Sequence, residues 1–124
     1  LGSVIGFLCV GVLNLNNIRD IENDSKMNKK TIPTRIGFRN AKFYHYFLII
    51  APMLLIFIFA TKFKISNNLI FIFFGILPII FHLFKVNQAK SPIEFKPLLR
   101  QLAISTFFFS IFMSIFLIYE SIFF

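Results

Sequence analysis

Long apolar runs alternate with short polar connectors along this chain. Apolar residues fill 1–15, 44–61, 69–84 and 102–119 almost without a break. Each run is uniformly hydrophobic, with none of the two-residue alternation that marks a strand or a membrane barrel. The pattern therefore predicts an all-α, polytopic transmembrane helical bundle with four spans. A span needs about 20 apolar residues to cross the hydrocarbon core. The first run is shorter than that, so the chain reads as the C-terminal piece of something longer. Its opening residues lack a basic stretch and do not read as a secretory signal.

The connectors sharpen this picture through their charge. Residues 16–43 hold seven Lys or Arg, residues 85–101 hold four, and the short stretch 62–68 holds two. Cationic loops stay on the cytoplasmic side. The first and third connectors are thus expected to be cytoplasmic loops, with the short one and the C-terminal Phe124 outside. Pro52 and Pro78 fall within spans, where neighbouring helices can satisfy the carbonyls that a kink frees. Tyr44, His45, Tyr46 and Tyr119 lie at expected interfaces, where amphipathic rings anchor. His82 stands alone near the cytoplasmic end of the third run and is assigned no chemistry.

Composition agrees with a membrane protein. Hydrophobic residues make up 57% of the chain, 20 of the 124 residues are Phe, and only 15% are charged. A soluble domain of this size needs far more polar surface. The net charge of +8 sits in short loops rather than on one basic face, which argues against nucleic acid as a partner. The lone Cys9 lies in an apolar run and supports no disulfide framework.

Three of the five acids fall in one place, the stretch NNIRDIENDSKMNKKT at residues 16–31. If the first helix continues past Leu15, Asn16, Asp20 and Asp24 recur at i, i+4 and i+8. At 3.6 residues per turn they spread over about 80° and share one face. Glu22 points elsewhere, within reach of Lys26 at i+4. Two carboxylates and an amide form an oxygen-only donor set that suits Mg²⁺. Arg19, Lys26, Lys29, Lys30 and Arg35 stand where an anion held by that metal would meet them. Metal between carboxylates and a diphosphate turns their repulsion into attraction. The plainer alternative is a solvated mixed-charge connector with weak local ion pairs, or a set of lysines for anionic lipid.

The words NNIRDIEND, KKTIPTRIG and NAKFYHY resemble the second aspartate-rich region of the UbiA-type intramembrane prenyltransferases. The form Asn-Asn-x-Arg-Asp-x-x-x-Asp is most similar to the 1,4-dihydroxy-2-naphthoate polyprenyltransferases of menaquinone synthesis. The later SPIEFKPLLRQLA resembles the loop before the last helix in that group. The resemblance implies a nine-helix fold in the bacterial inner membrane, of which this chain would hold the last four helices. It implies two Mg²⁺ ions, one per Asp-rich motif, that hold a polyprenyl diphosphate. The ring of 1,4-dihydroxy-2-naphthoate would then attack the allylic carbon and lose its carboxylate, giving demethylmenaquinone.

By position, the resemblance makes Asp20 and Asp24 the metal carboxylates, with Asn16 beside them on the metal. Asn16 and Asn17 would orient metal waters or diphosphate oxygens, and Arg19, Lys29 and Arg35 would face the diphosphate. Two residues depart from the family's pattern. Asn28 stands where Gly is common, and tolerates the left-handed turn expected there. Pro33 replaces a small apolar residue and suits the first turn of a following helix. The first Asp-rich motif is not among these residues, so the fragment alone is expected to be inactive. Alternatives are a 4-hydroxybenzoate polyprenyltransferase of ubiquinone synthesis and a non-enzymatic membrane subunit whose basic loops bind lipid.

Overall fold

A computed structural model describes residues 2–62 and 69–123, with side chains described for 2–62 and 75–119. All regular structure among the described residues is helical. In chain order the helices are α1 (Gly2–Arg19), α2 (Ile21–Lys26), α3 (Ile32–Lys62), α4 (Leu69–Gln88) and α5 (Phe95–Phe123), with one 3₁₀ turn at Pro92–Glu94. Residues 63–68 of the expected connector 62–68 lie outside the described residues. Among the described residues, two stretches are long and apolar enough to cross a membrane by length and composition: α3, and the run Pro92–Tyr119 that leads into and forms most of α5.

The helices overrun the apolar runs that predicted them. The stretch 16–43, expected as a loop, is mostly helix: α1 continues to Arg19, α2 follows at once, and α3 starts at Ile32. Apolar length reports the thickness of a bilayer, whereas a helix ends where its backbone finds caps. Asp20 (φ −95°, ψ 8°) breaks the run between α1 and α2. The hydrogen-bond ladder nevertheless passes through it, because Asp20 N–H donates to Asn16 O (3.1 Å) and Asp24 N–H to Asp20 O (2.8 Å).

The turn from α2 to α3 is written in its residues. Asn28 has a left-handed φ of +54°. Around it Lys29 N–H donates to Asp24 O (2.8 Å) and Asn28 N–H to Ser25 O (3.2 Å), the two bonds of a Schellman C-cap. Three residues later Thr31 and Thr34 cap each other. Thr31 N–H donates to Thr34 Oγ1 (2.8 Å), and Thr34 N–H donates to Thr31 Oγ1 (3.4 Å). This is a capping box with Thr in place of Glu, and Pro33 sits in the first turn it opens. Gly37 (φ +80°, ψ 163°) then kinks α3, in a conformation that side chains with a Cβ rarely adopt.

The core lies where α1 packs along α3 and α5, with α4 laid on α5. Leu8, Leu15, Ile18, Ile49, Phe95 and Leu102 are buried there. Gly11 allows the close approach: a methyl group in its place would stand 3.1 Å from Ile49 Cδ1 and 3.6 Å from Leu102 Cδ2. Asn14 is buried one turn further along α1 and ties it to α3 by donating Nδ2–H to Ala41 O (3.1 Å). On the other side of α3, Lys42 Nζ donates to Ala89 O (2.7 Å) just past the end of α4, where a cation offsets the negative helix end. Phe38 packs edge-on against Phe95 at 5.6 Å between ring centres, which holds the start of α5 against α3.

His45 and His82 correct the sequence-based expectation. His45 does not anchor at an interface and His82 is not isolated. Both rings are fully buried, and their Nε2 atoms face one another at 3.0 Å across α3 and α4. In this contact one ring's Nε2–H donates and the other ring's Nε2 accepts the hydrogen bond. Neither Nδ1 has a hydrogen-bond partner.

Candidate functional site

The Asp-bearing turn is built by α1, α2 and the Schellman cap, and it faces the 3₁₀ turn before α5. Between them opens a cleft of about 400 Å³ lined by Arg19, Asp20, Glu22, Asn23 and Lys26 on one side and Ser91, Pro92 and Ile93 on the other. The far wall is stiffened locally. The Glu94 carboxylate accepts hydrogen bonds from Ser91 N–H (3.1 Å), from Lys90 N–H (3.3 Å) and from the Ser91 hydroxyl. Those bonds, the Ser91 hydroxyl foremost, lower the Glu94 pKa below the usual carboxylate value.

Each motif carboxylate holds one cation. Arg19 forks onto Asp20, with Nε 2.7 Å from Oδ1 and Nη2 2.6 Å from Oδ2, and Nη2 also donates to Asn16 Oδ1 at 2.9 Å. This bidentate contact lowers the Asp20 pKa and raises that of Arg19. Asp24 is buried, its side chain only 5% exposed, and it accepts from Lys29 Nζ at 3.1 and 3.3 Å. The Schellman cap is what brings Lys29 back over Asp24. The positive charge of Lys29 also lowers the Asp20 pKa, so this one ammonium acts on both carboxylates.

The structure thus brings together Asn16, Arg19, Asp20, Asp24 and Lys29. Asp20 and Arg19 line the cleft directly, whereas Asp24 is buried outside its lining and is held by Lys29. Asn17 is half-buried in the last turn of α1, away from the cleft lining, and Arg35 is exposed at the start of α3. Neither joins the cluster. Glu22 and Lys26 do not pair: among the described residues the ion pairs are Arg19–Asp20 and Lys29–Asp24. The same residues contain no group of three or more His, Cys, Asp or Glu placed to hold a metal ion by themselves. What the turn offers is a hard donor set of two carboxylates and one amide oxygen, which fits one divalent ion that takes its other ligands elsewhere.

Sequence reasoning passed over the far wall, Ser91–Ile93, and the buried histidines. The histidines did leave a signal. Each stands three residues from a lysine that bounds its apolar run, His45 after Lys42 and His82 before Lys85, so both lie at one depth.

Comparison with known proteins bears on this cluster. A model of the UbiA prenyltransferase family matches residues 1–110, a stretch that includes both walls of the cleft. The chain belongs to the UbiA prenyltransferase family. Two curated relatives are 1,4-dihydroxy-2-naphthoate octaprenyltransferases. That of Haemophilus influenzae is 33% identical over 112 residues, covering 89% of this chain and 36% of the relative. That of Escherichia coli is 29% identical over 102 residues, covering 77% of this chain and 31% of the relative. The chain therefore spans about a third of the length of the curated relatives it matches. No solved structure matches it significantly. UbiA members are integral membrane proteins that generally depend on a divalent metal, in keeping with the apolar α3 and α5 and with the oxygen donors of the Asp turn.

Proposed function

We propose that the full-length protein transfers a polyprenyl group from polyprenyl diphosphate to 1,4-dihydroxy-2-naphthoate, with Mg²⁺ at the Asp turn. This chain supplies one of two metal-binding motifs and the last four helices of a nine-helix bundle. The bundle lies in the bacterial inner membrane with residues 16–43 and 85–101 cytoplasmic and the C-terminus outside. The supporting observation is the cluster itself: two carboxylates, each with its own cation, stand on the turn that walls a polar cleft.

Asp20 and Asp24, with Asn16 Oδ1, are the residues that would hold the ion. When bound, Mg²⁺ neutralises charge on the diphosphate as the allylic C–O bond breaks. Arg19 and Lys29 offer N–H donors to the same oxygens, while Asn17 and Arg35 stand further out for the diphosphate tail or its waters. The bond electrons leave with the diphosphate. The electron-rich ring carbon attacks the allylic carbon, and the ring then loses its carboxylate as CO₂. The product is demethylmenaquinone in its reduced form. Positioned charge in a site screened from water is the main source of rate here.

The test uses the purified full-length protein, Mg²⁺, a polyprenyl diphosphate and either 1,4-dihydroxy-2-naphthoate or 4-hydroxybenzoate. Asp20→Asn and Asp24→Asn should each lower kcat by about 10²–10³, the scale of losing one charge-stabilising group. Turnover should require the naphthoate and vanish with chelator. Preference for 4-hydroxybenzoate would overturn the acceptor assignment, and full activity in both variants would overturn the site.

A further inference from the structure

Arg19 and Lys29 raise a question that the transfer reaction leaves open. Residues expected to face a diphosphate instead sit on the carboxylates expected to face the metal. The Arg19 fork takes both oxygens of Asp20 together with Asn16 Oδ1, so three of the oxygens that would face a metal are engaged. Lys29 Nζ lies 3.1 and 3.3 Å from the two oxygens of Asp24, and its charge reaches Asp20 as well. Two negative and two positive groups thus form a neutral quartet. Lys26, on the same cleft wall, makes no ion pair with either carboxylate.

We propose that Arg19 and Lys29 are placeholder cations that exchange partners, leaving Asp20 and Asp24 for the phosphate oxygens when metal and diphosphate arrive together. The proposal rests on the functional reading above and adds an order to it. A divalent ion alone must displace two cations that have nowhere better to go, and it then stands beside them at close range. Like charges at that separation repel. A metal diphosphate brings its own anion, so each displaced cation regains a charge-assisted hydrogen bond. Metal and diphosphate are therefore coupled ligands: each binds more tightly in the presence of the other, by the same factor. The arrangement also keeps the buried Asp24 paired in the absence of any metal, where an unpaired buried carboxylate would be costly.

The test measures binding, not turnover, on full-length protein in detergent. Mn²⁺ serves as the probe for the metal alone, followed by its electron paramagnetic resonance. Inorganic diphosphate is titrated by calorimetry at saturating Mg²⁺. Arg19→Gln and Lys29→Gln should tighten Mn²⁺ alone about 1.5- to fivefold, the range for removing one partly exposed ion-pair competitor. The same variants should weaken Mg²⁺-diphosphate about ten- to a hundredfold, through the lost charge-assisted bonds. Opposite signs in one variant are the signature. Lys26→Gln is the control, and an equal tightening there would show a general field effect and overturn the exchange. Weaker Mn²⁺ binding in both Gln variants would overturn it too. Should Mn²⁺ bind wild type and Asp20→Asn alike, the metal site itself falls, which is a failure of the functional reading and separable from the rest.

Discussion

Asn28 offers a direct way to test how the turn builds the site. It is a non-glycine residue at φ +54°, and it closes the cap that folds Lys29 over Asp24. A left-handed conformation costs an L-residue about 1–2 kcal/mol, with Asn at the lower end and Gly free of the Cβ contact. Glycine also loses more freedom on folding, which offsets roughly half of its gain. Asn28→Gly should therefore be neutral or up to about 1 kcal/mol stabilising. Asn28→Ala should cost about 1 kcal/mol and Asn28→Val, branched at Cβ, about 2 kcal/mol. Differential scanning calorimetry of the full-length protein reads the order Gly, Asn, Ala, Val in Tm. The same series should raise the KM for polyprenyl diphosphate from Gly to Val, because a strained cap releases Lys29 from its place above Asp24. A flat series in Tm, or Val at least as stable as Gly, would refute the claim that this cap sets the turn.

Two further outcomes follow from the backbone and the core. Gly37→Ala should destabilise by about 1–3 kcal/mol on strain alone, since a Cβ there meets nothing within 4 Å; an unchanged Tm would mean that α3 straightens at no cost. In a double-mutant cycle, His45→Leu and His82→Leu should each cost about 1–3 kcal/mol by leaving the other imidazole without its partner. The double variant should cost clearly less than their sum, and strict additivity would show that the Nε2–Nε2 contact carries no energy.

The sequence disclosed local features well and distant ones poorly. The i, i+4, i+8 spacing of Asn16, Asp20 and Asp24 carried through the break at Asp20, because the ladder bonds bridge it. The left-handed turn at Asn28 and the first-turn Pro33 were also legible, since both follow from the residue's own φ preference. Helix ends in 16–43 were not, because polar residues there cap and continue helices while apolar run length says nothing about them. His45 and His82 are 37 residues apart, and no local rule pairs them. The Ser91–Ile93 wall was likewise hidden. The packing of Phe95 on Phe38 and the grip of Lys42 on Ala89, which hold that turn against the cleft, join residues far apart in the chain. In the candidate site, spacing put Asn16, Asp20 and Asp24 one turn apart, but it could not tell the cations that hold the carboxylates, Arg19 and Lys29, from their neighbours.

The cleft has one wall at Arg19–Lys26 and the other at Ser91–Ile93, segments on opposite sides of α3 and α4 in the chain. That separation sets a timetable. During synthesis the Asp turn is complete, with its cap and its paired cations, long before the residues that close the cleft leave the ribosome. Until α4 has docked and Lys42 has gripped its end, the cleft lacks its second wall, and Arg19 and Lys29 already pair with Asp20 and Asp24. The unfinished protein thus carries carboxylates already paired with cations, beside a cleft that has not yet closed. The arrival of the turn before α5, and not completion of the motif, marks the moment at which this cleft exists.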